Sequence, residues 1–544
     1  MANIMSLKSL RNKTSRNGFD LSSKRNFTAK CGELLPVKTW EVLPGDSWSI
    51  DLRAFTRTQP LNTAAFARMR EYYDFYFVPY DLLWNKANTV LTQMYDNPQH
   101  ATSLIPSGDS LAGEMPYITC EQIATYLSTF ASVSSEPYAK NFFGYNRAKL
   151  SAKLLEYLGY GNFSVYATGT EWDSDPLAAN LQLNVFGLLA YQKIYSDFFR
   201  ESQWEKCSPS TFNVDYMTGI GSMNVTGTSD SAFLEEYNFF DLRYCNWQKD
   251  LFHGALPRQQ YGDVATVAVS GTASGSPLAV DADFSILALR QAEFLQKWKE
   301  ITQSGNQDYK EQIEKHWNVS PSDGFSEMCT YLGGISSSLD INEVVNNNIT
   351  GDNAADIAGK GTGVSNGRIS FNSQGRYGLI MCIYHCLPLI DYTCDVVSPV
   401  YTKVNSTDYA IPEFDCVGME SLPLSRLVNA SSSVVPYDHH LLGYVPRYID
   451  YKTDIDTSVG AFKTTLKNWV ISYNNDSIME QLVSATGSDP EVLSNYTSFK
   501  VNPSSVNPLF AVEVDDSVDT DNFLCTSFFD VKVVRNLDTD GLPY

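Results

Sequence analysis

Cysteine is scarce in this chain, ten among 544 residues. That density excludes a disulfide-stapled scaffold and makes a reducing compartment the expectation, in which the Asn-x-Ser/Thr sequons carry no meaning. Long apolar runs are missing too. The longest, residues 379–390 (LIMCIYHCLPLI), is too short to span a bilayer and contains His385 and Pro388. Residues 1–10 have no apolar h-region, so no secretory leader is expected. These absences point to a soluble protein made in a cytoplasm. Acid is nearly absent from the first thirty residues, where Asp20 stands alone against Lys8, Arg11, Lys13, Arg16, Lys24, Arg25 and Lys30. The whole chain carries −22, so an arm of about +6 is joined to a body near −28. Such an arm has too few large apolar groups to build a core, and its charge is the usual footprint of nucleic-acid contact.

Motifs that would carry chemistry are absent or incomplete. Cys382, Cys386 and Cys394 lie near His385. On a strand the histidine points away from the Cys382/Cys386 face and no second cysteine pair follows, so core thiols are expected rather than zinc. His439 and His440 have no Glu-x-x-His nearby and read as loop residues. Asp450, Asp454 and Asp456 beside Gly460 miss the EF-hand spacing, which leaves at most a looser calcium site at a subunit contact. Residues 359–367 (GKGTGVSNG) lack the Gly-x4-Gly-Lys-Ser/Thr register and read as a flexible loop. There is no Gly-x-Ser-x-Gly elbow and no carboxylate pair in a hydrolase context. No enzyme activity, cofactor or metal is expected.

What the chain has in quantity is aromatic residues, with 32 Tyr and 29 Phe. These favour pleated, half-buried surfaces and interfaces. Residues 34–52 alternate apolar and polar around a Pro-Gly-Asp turn and read as strand, turn, strand. Residues 63–69 suggest a short helix. Residues 70–80 (REYYDFYFVPY) form a strand apolar on both faces, which must be buried between layers or between subunits. Helical spacing follows at 148–158 and 181–199, short β-like pieces at 201–282, and the clearest helix at 283–301. In that helix Leu287, Phe294, Leu295, Trp298 and Ile301 line one stripe and the other face is charged and exposed. Residues 342–368 are rich in Asn and Gly and read as a long loop. Further strands are expected at 377–390, 414–424, 444–452 and 523–534. Strands at both ends with helices between them fit one β-sandwich with expanded loops. Loop length costs only about 1.5 RT ln n in closure entropy.

The blocks NKTSRNGFDLSSKRNFTAKCGELLPV (12–37) and FTRTQPLNTAAFARMREYYDFYFVPYDLLW (55–84) carry a resemblance. LPRQQYGDVATV (256–267), LRQAEFLQKWKE (289–300), YKEQIEKHWNVSPSD (309–323), YLGG (331–334) and GYVPRYIDYKTDIDTSVGAF (443–462) follow in the same order. The chain resembles the major capsid proteins of the Microviridae, the small icosahedral single-stranded DNA phages, and among them the gokushovirus-like and Alpavirinae-like branch. The resemblance implies a mainly β fold, an eight-stranded antiparallel jelly roll of the viral capsid type with large helical and loop insertions. The basic arm would span 1–30 and the jelly-roll domain 31–544, with insertions roughly within 85–370. It also implies sixty copies in a T=1 icosahedral shell around a circular single-stranded DNA genome, assembled in a bacterial cytoplasm without membrane insertion. Its partners would be further copies of itself, the genome, a small basic DNA-packaging protein, other virion proteins and a host cell-surface receptor. One insertion would form a three-fold protrusion, placed at 205–240, with 161–180 and 345–366 as rivals.

On this reading the arm cations Lys8, Arg11, Lys13, Arg16, Lys24, Arg25 and Lys30 face the DNA. The aromatic residues Tyr73, Phe75 and Phe77, with Tyr444, Arg447, Tyr448 and Tyr451, are core or subunit-interface material. The alternative from another class is a β-rich carbohydrate-active or carbohydrate-binding protein, suggested by the Tyr, Trp and Asp content. The basic arm counts against it, and self-assembly discriminates the two.

Overall fold

The computed structural model describes residues 15–92, 115–132, 143–168, 181–205, 207–217, 238–259, 286–306, 308–345, 357–373, 375–392, 396–415, 418–427, 441–473 and 499–539. Nine strands carry the fold: β1 (Asn17–Asp20), β2 (Ser23–Ala29), β3 (Leu35–Val42), β4 (Ser47–Thr58), β5 (Met69–Pro79), β6 (Thr330–Val345), β7 (Ile357–Asn372), β8 (Gly378–Pro388) and β9 (Phe523–Arg535). All their pairings are antiparallel. One sheet runs β2-β9-β4-β7, with β1 extending the β2 edge along β9, and the other runs β3-β8-β5-β6. In chain order from β2, the first strand lies beside the eighth and the second beside the seventh, as in a jelly roll. The first part of β6 pairs with β5 and its end, from Asp340, pairs with β7. That hairpin carries the ladder from one sheet to the other, so the eight strands curl into a single half-barrel. The expected jelly roll is present.

Aromatic residues close the gap between the sheets. The Trp40 ring on β3 meets Phe529 on β9 edge-on at 5.3 Å, Phe27 on β2 meets Tyr384 on β8 at 5.2 Å, and Phe77 on β5 lies 4.7 Å from Phe371 on β7. The Ser527 hydroxyl donates to the Tyr73 hydroxyl across the same space at 3.1 Å. Each such fully buried side chain contributes about 1.5–3 kcal/mol of transfer free energy.

The two sheets differ on their outer faces, and the strand sequences explain why. In β4 and β9 burial alternates strictly, so one face is solvated. β5 is apolar on both faces because both are covered. Helices α1 (Cys120–Ser132), α2 (Arg147–Leu158) and α3 (Phe186–Ile194) come from the insertion between β5 and β6. Past the end of α3, Phe198 lies 4.9 Å from Tyr76 and Phe199 packs edge-on to His385, over the outer face of the β5–β8 pair. A second insertion runs from β8 to β9 and carries the small ladder of Met419–Pro423 with Leu441–Pro446.

Several expectations are corrected. Residues 63–68 form no helix: a bend at Thr63 leads into irregular chain that enters β5 at Met69. The described part of 201–282 holds turns, 3-10 segments and isolated bridges rather than strands. Residues 330–345 and 357–372 belong to the sandwich, so the insertions are two, at 80–329 and 389–522. The glycine-rich stretch 359–367 is strand, not loop. Its glycines recur at 359, 361, 363 and 367, all on the face turned toward neighbouring elements. A Cβ at Gly361 would stand 2.4 Å from Thr58 Cγ2, and one at Gly363 would stand 2.6 Å from Leu339 Cδ2. The corner where the ladder turns between sheets leaves no room for side chains.

The helix expected at 283–301 exists as α4 (Ile286–Gln303), followed by α5 (Tyr309–Trp317). The two form a hairpin: Gln312 donates to the Thr302 carbonyl at 2.8 Å, and Thr302 Oγ1 lies 3.0 Å from His316 Nε2. Among the described residues the apolar stripe gets little cover from this chain: the Trp298 ring meets His316 of α5 at 6.3 Å and most of the rest is open. Phe294 is 67% exposed, Trp317 is 73% exposed, and Leu287 and Trp298 are also exposed.

Candidate nucleic-acid and subunit interfaces

The arm is shorter than its charge pattern suggests. β1 and β2 are strands of the sandwich, so only residues before Asn17 precede it. Lys8, Arg11 and Lys13 lie outside the described residues. Arg16 donates to the Gly45 carbonyl at 2.7 Å and to Ser47 Oγ at 3.2 Å, at the end of the sheet. Lys24 is exposed on the outer face of β2. Arg25 donates to the Tyr157 carbonyl at 2.8 Å, at the carboxyl end of α2, where a cation complements the helix dipole.

Lys30 is corrected outright. It is 1% exposed, donates to the Ser517 carbonyl at 2.9 Å and pairs with Asp521 at 3.3 Å, so it cannot reach a phosphate. It belongs to a buried network in which Lys153 of α2 meets Glu33 at 2.7 Å and Asp521 at 3.1 Å. Burial disfavours charge on both Glu33 and Lys153. The opposed ions outweigh it, so the Glu33 carboxyl is lowered and the Lys153 ammonium raised from their ordinary values. The network ties the β2–β3 turn, α2 and the entry to β9 together. The β2–β3 turn requires glycine: Gly32 has φ +80 and sits against Val501.

The proposed interface residues divide in two. Tyr73, Phe75 and Phe77 are buried between the sheets and are corrected to core. Tyr444, Arg447, Tyr448 and Tyr451 lie at or near the surface of the second insertion. Tyr444 is half-buried and exchanges backbone hydrogen bonds with Leu256, each 2.8 Å. The Arg447 guanidinium lies 5.7 Å from the Phe414 ring and 5.2 Å from the Tyr448 ring, and Lys403 Nζ sits 3.8 Å over the exposed ring of Tyr451. Tyr448 holds a left-handed backbone, φ 58. The sequence carries no signal for this stacking of cations on rings, because Phe414 and Lys403 come from remote positions.

The residues weighed for metal binding are used otherwise. Cys382 and Cys386 are buried in β8. His385 stacks on Tyr72 at 4.9 Å, and burial pushes its pKa down to about 3. Its Nδ1 lies 3.8 Å from Asp74, whose carboxyl is pushed up to about 6 by burial, against a hydrogen bond from Tyr331 at 3.0 Å. Asp450 pairs with Arg426, and Asp456 pairs with Arg68, so these acids face different cations. Among the described residues no cluster of three His, Cys, Asp or Glu could hold an ion. Cys394, His439 and His440 lie outside the described residues, as does most of the protrusion candidate 205–240. No helix among the described residues is long and apolar enough to cross a membrane.

Comparison with known proteins agrees with this architecture. A family described as "Capsid protein (F protein)" matches residues 8–148, from the arm through β5 and into α2. Capsid protein VP1 of Chlamydia phage 1 is 22% identical, with 97% of this chain and 95% of the relative covered. Capsid protein VP1 of Bdellovibrio phage phiMH2K is 21% identical over 83% of each. A jelly roll whose length is matched over 97% and 83% by two phage capsid proteins, and whose first strands fit a capsid family, is what this chain shares with them: it is similar to the capsid proteins of the Microviridae phages.

Proposed function

We propose that this chain is the major capsid subunit of a T=1 icosahedral shell, sixty copies around a circular single-stranded DNA genome, with no catalytic role. The observation that carries self-association is the α4–α5 hairpin. It presents Leu287, Phe294, Trp298 and Trp317 to solvent on a single chain. Exposed apolar patches of this kind mark interaction sites. In a closed shell of identical chains the occupant is a second copy, meeting the hairpin in a heterologous contact that closes by rotation. The Arg447–Tyr448–Tyr451 cluster, rich in the residue types that anchor interfaces, is a second subunit contact.

The remaining arm cations, Lys8, Arg11, Lys13 and Arg16, face the genome, sharing neutralisation with a small basic packaging protein. Surface loops of the insertions meet the host receptor. Assembly takes place in the bacterial cytoplasm with the other virion proteins. Electron microscopy of the purified protein, alone and co-expressed with its phage partners, tests the reading. Closed particles of uniform size are expected. A subunit that stays monomeric in both, or that hydrolyses a sugar polymer in a way abolished by one Asp or Glu substitution, overturns it.

A further inference from the structure

The outer face of the β2-β9-β4-β7 sheet is bare among the described residues, and its composition departs from that of the molecule. Across the ladder Lys24, Phe528 and Arg53 stand level in one row. The next outward row holds Asn26, Thr526, Phe55 and Val364, and the one beyond holds Leu524, Arg57 and Thr362. Arg368 stands beside Asp51 one step the other way, and Lys360 lies at the far edge of β7. Lys24, Arg53, Arg57, Lys360 and Arg368 are exposed, and none meets a carboxylate within ion-pair distance among the described residues. The Arg57 guanidinium rests 5.1 Å over the Phe55 ring, and Phe528 is 40% exposed. The acids here are few. Asp20 and Asp530 are both held by Lys532, which leaves Asp51 and, where β6 bends over, Asp340.

Free cations interleaved with half-exposed phenyl rings, on a chain of −22, are hard to explain as a solvated sheet face. Solubility would be served by mixed charge without aromatics. The sandwich does not need these side chains, since they point away from it. Phosphates would find cations spaced along β4 and across three strands, and bases would find flat rings between them, the combination used by sequence-tolerant single-strand binders.

We infer that the outer face of the β2-β9-β4-β7 sheet is a binding platform for single-stranded nucleic acid, with Lys24, Arg53 and Arg57 taking phosphates and Phe55 and Phe528 stacking bases. The inference rests on the genome-enclosing reading for its biological ligand, and it moves the principal contact from the arm to the sheet. It predicts little base preference and strong salt dependence.

The test is binding of a labelled oligothymidylate by full-length protein across a salt series, with heparin as a non-stacking polyanion and circular dichroism as the folding control. R53Q/R57Q is expected to weaken oligothymidylate binding at least tenfold at low salt. It should also flatten the slope of log K on log salt by about 1.4, or ~0.7 for each phosphate no longer neutralised. F55L/F528L should weaken oligothymidylate but not heparin and leave the slope unchanged. Unchanged binding by both folded variants, or no binding by the parent protein, overturns the platform. If R53Q/R57Q binds normally but no longer forms particles, the face is a subunit contact and the inference fails. The capsid reading is judged separately, by whether the parent protein assembles.

Discussion

At the scale of single residues, the buried ions do the most to hold distant segments together. Lys153 compensates both Glu33 and Asp521 where neither reaches water. Lys153→Met should therefore leave two carboxylates poorly paired and cost about 3–5 kcal/mol, the usual range for breaking a buried pair from one side. A urea denaturation midpoint of the unassembled subunit reads this; an unchanged midpoint would mean that Lys30 alone suffices. The Asp74–His385 pair gives a pH signature. The Asp74 pKa is raised from 3.8 to about 6, so its contribution is present below about pH 4 and lost as pH rises through about 6, at most ~3 kcal/mol. His385 is lowered from 6.5 to about 3, so its contribution is present above about pH 6.5 and lost as pH falls toward 3. The two oppose each other across the acid range. Asp74→Asn should gain stability relative to the parent on going from about pH 4.5 to about pH 7, read from midpoints at both. Neither group was legible beforehand. Asp74 sits in an alternating aromatic strand, and only the covering insertion removes it from water.

At the scale of elements, periodicity was reliable and its interpretation less so. The 3.6-residue stripe of α4 was legible, but a stripe says only that a face seeks cover, not that the same chain provides it. Among the described residues this chain covers little of it beyond His316 against Trp298, so on the proposed reading the stripe belongs to assembly. Phe294→Ser with Trp298→Ser should change subunit stability by no more than about 0.5 kcal/mol each, as for exposed positions, while abolishing particle formation. Light scattering beside a denaturation curve separates the two effects. A large loss of stability would show instead that the hairpin packs on its own chain. The opposite error concerned β7. Its glycines read as flexibility, although their spacing of two already carried the strand signal. Alternation of glycine with larger residues marks a strand whose inward face is crowded, and Gly361 against Thr58 is that crowding.

At the scale of the whole molecule, the charge asymmetry and the order of strands decide what can be removed. Deleting residues 1–14 should leave the sandwich intact, because every described strand of it begins after them. Deleting 1–30 removes β1, β2 and Lys30, uncovers the edge of β9 and opens the buried ion network. It should yield insoluble protein, since an exposed long edge strand invites aggregation. Recovery of soluble, folded protein from the longer deletion would contradict the placement of β2 in the sheet.

The sequence by itself determined the β class, the alternation of β4 and β9, the two-faced burial of β5 and the likeness to phage capsid proteins, because these depend on local period and on residue blocks kept in order. Tertiary structure decided which cations are free and which apolar faces are bare. Lys30 and Arg57 are both cations near strand ends, and nothing local separates them. One is enclosed by Glu33, Asp521 and α2, the latter two brought from more than a hundred positions away, while the other is left on a face that no described insertion covers. Burial is set by what packs on top, and what packs on top comes from elsewhere in the chain.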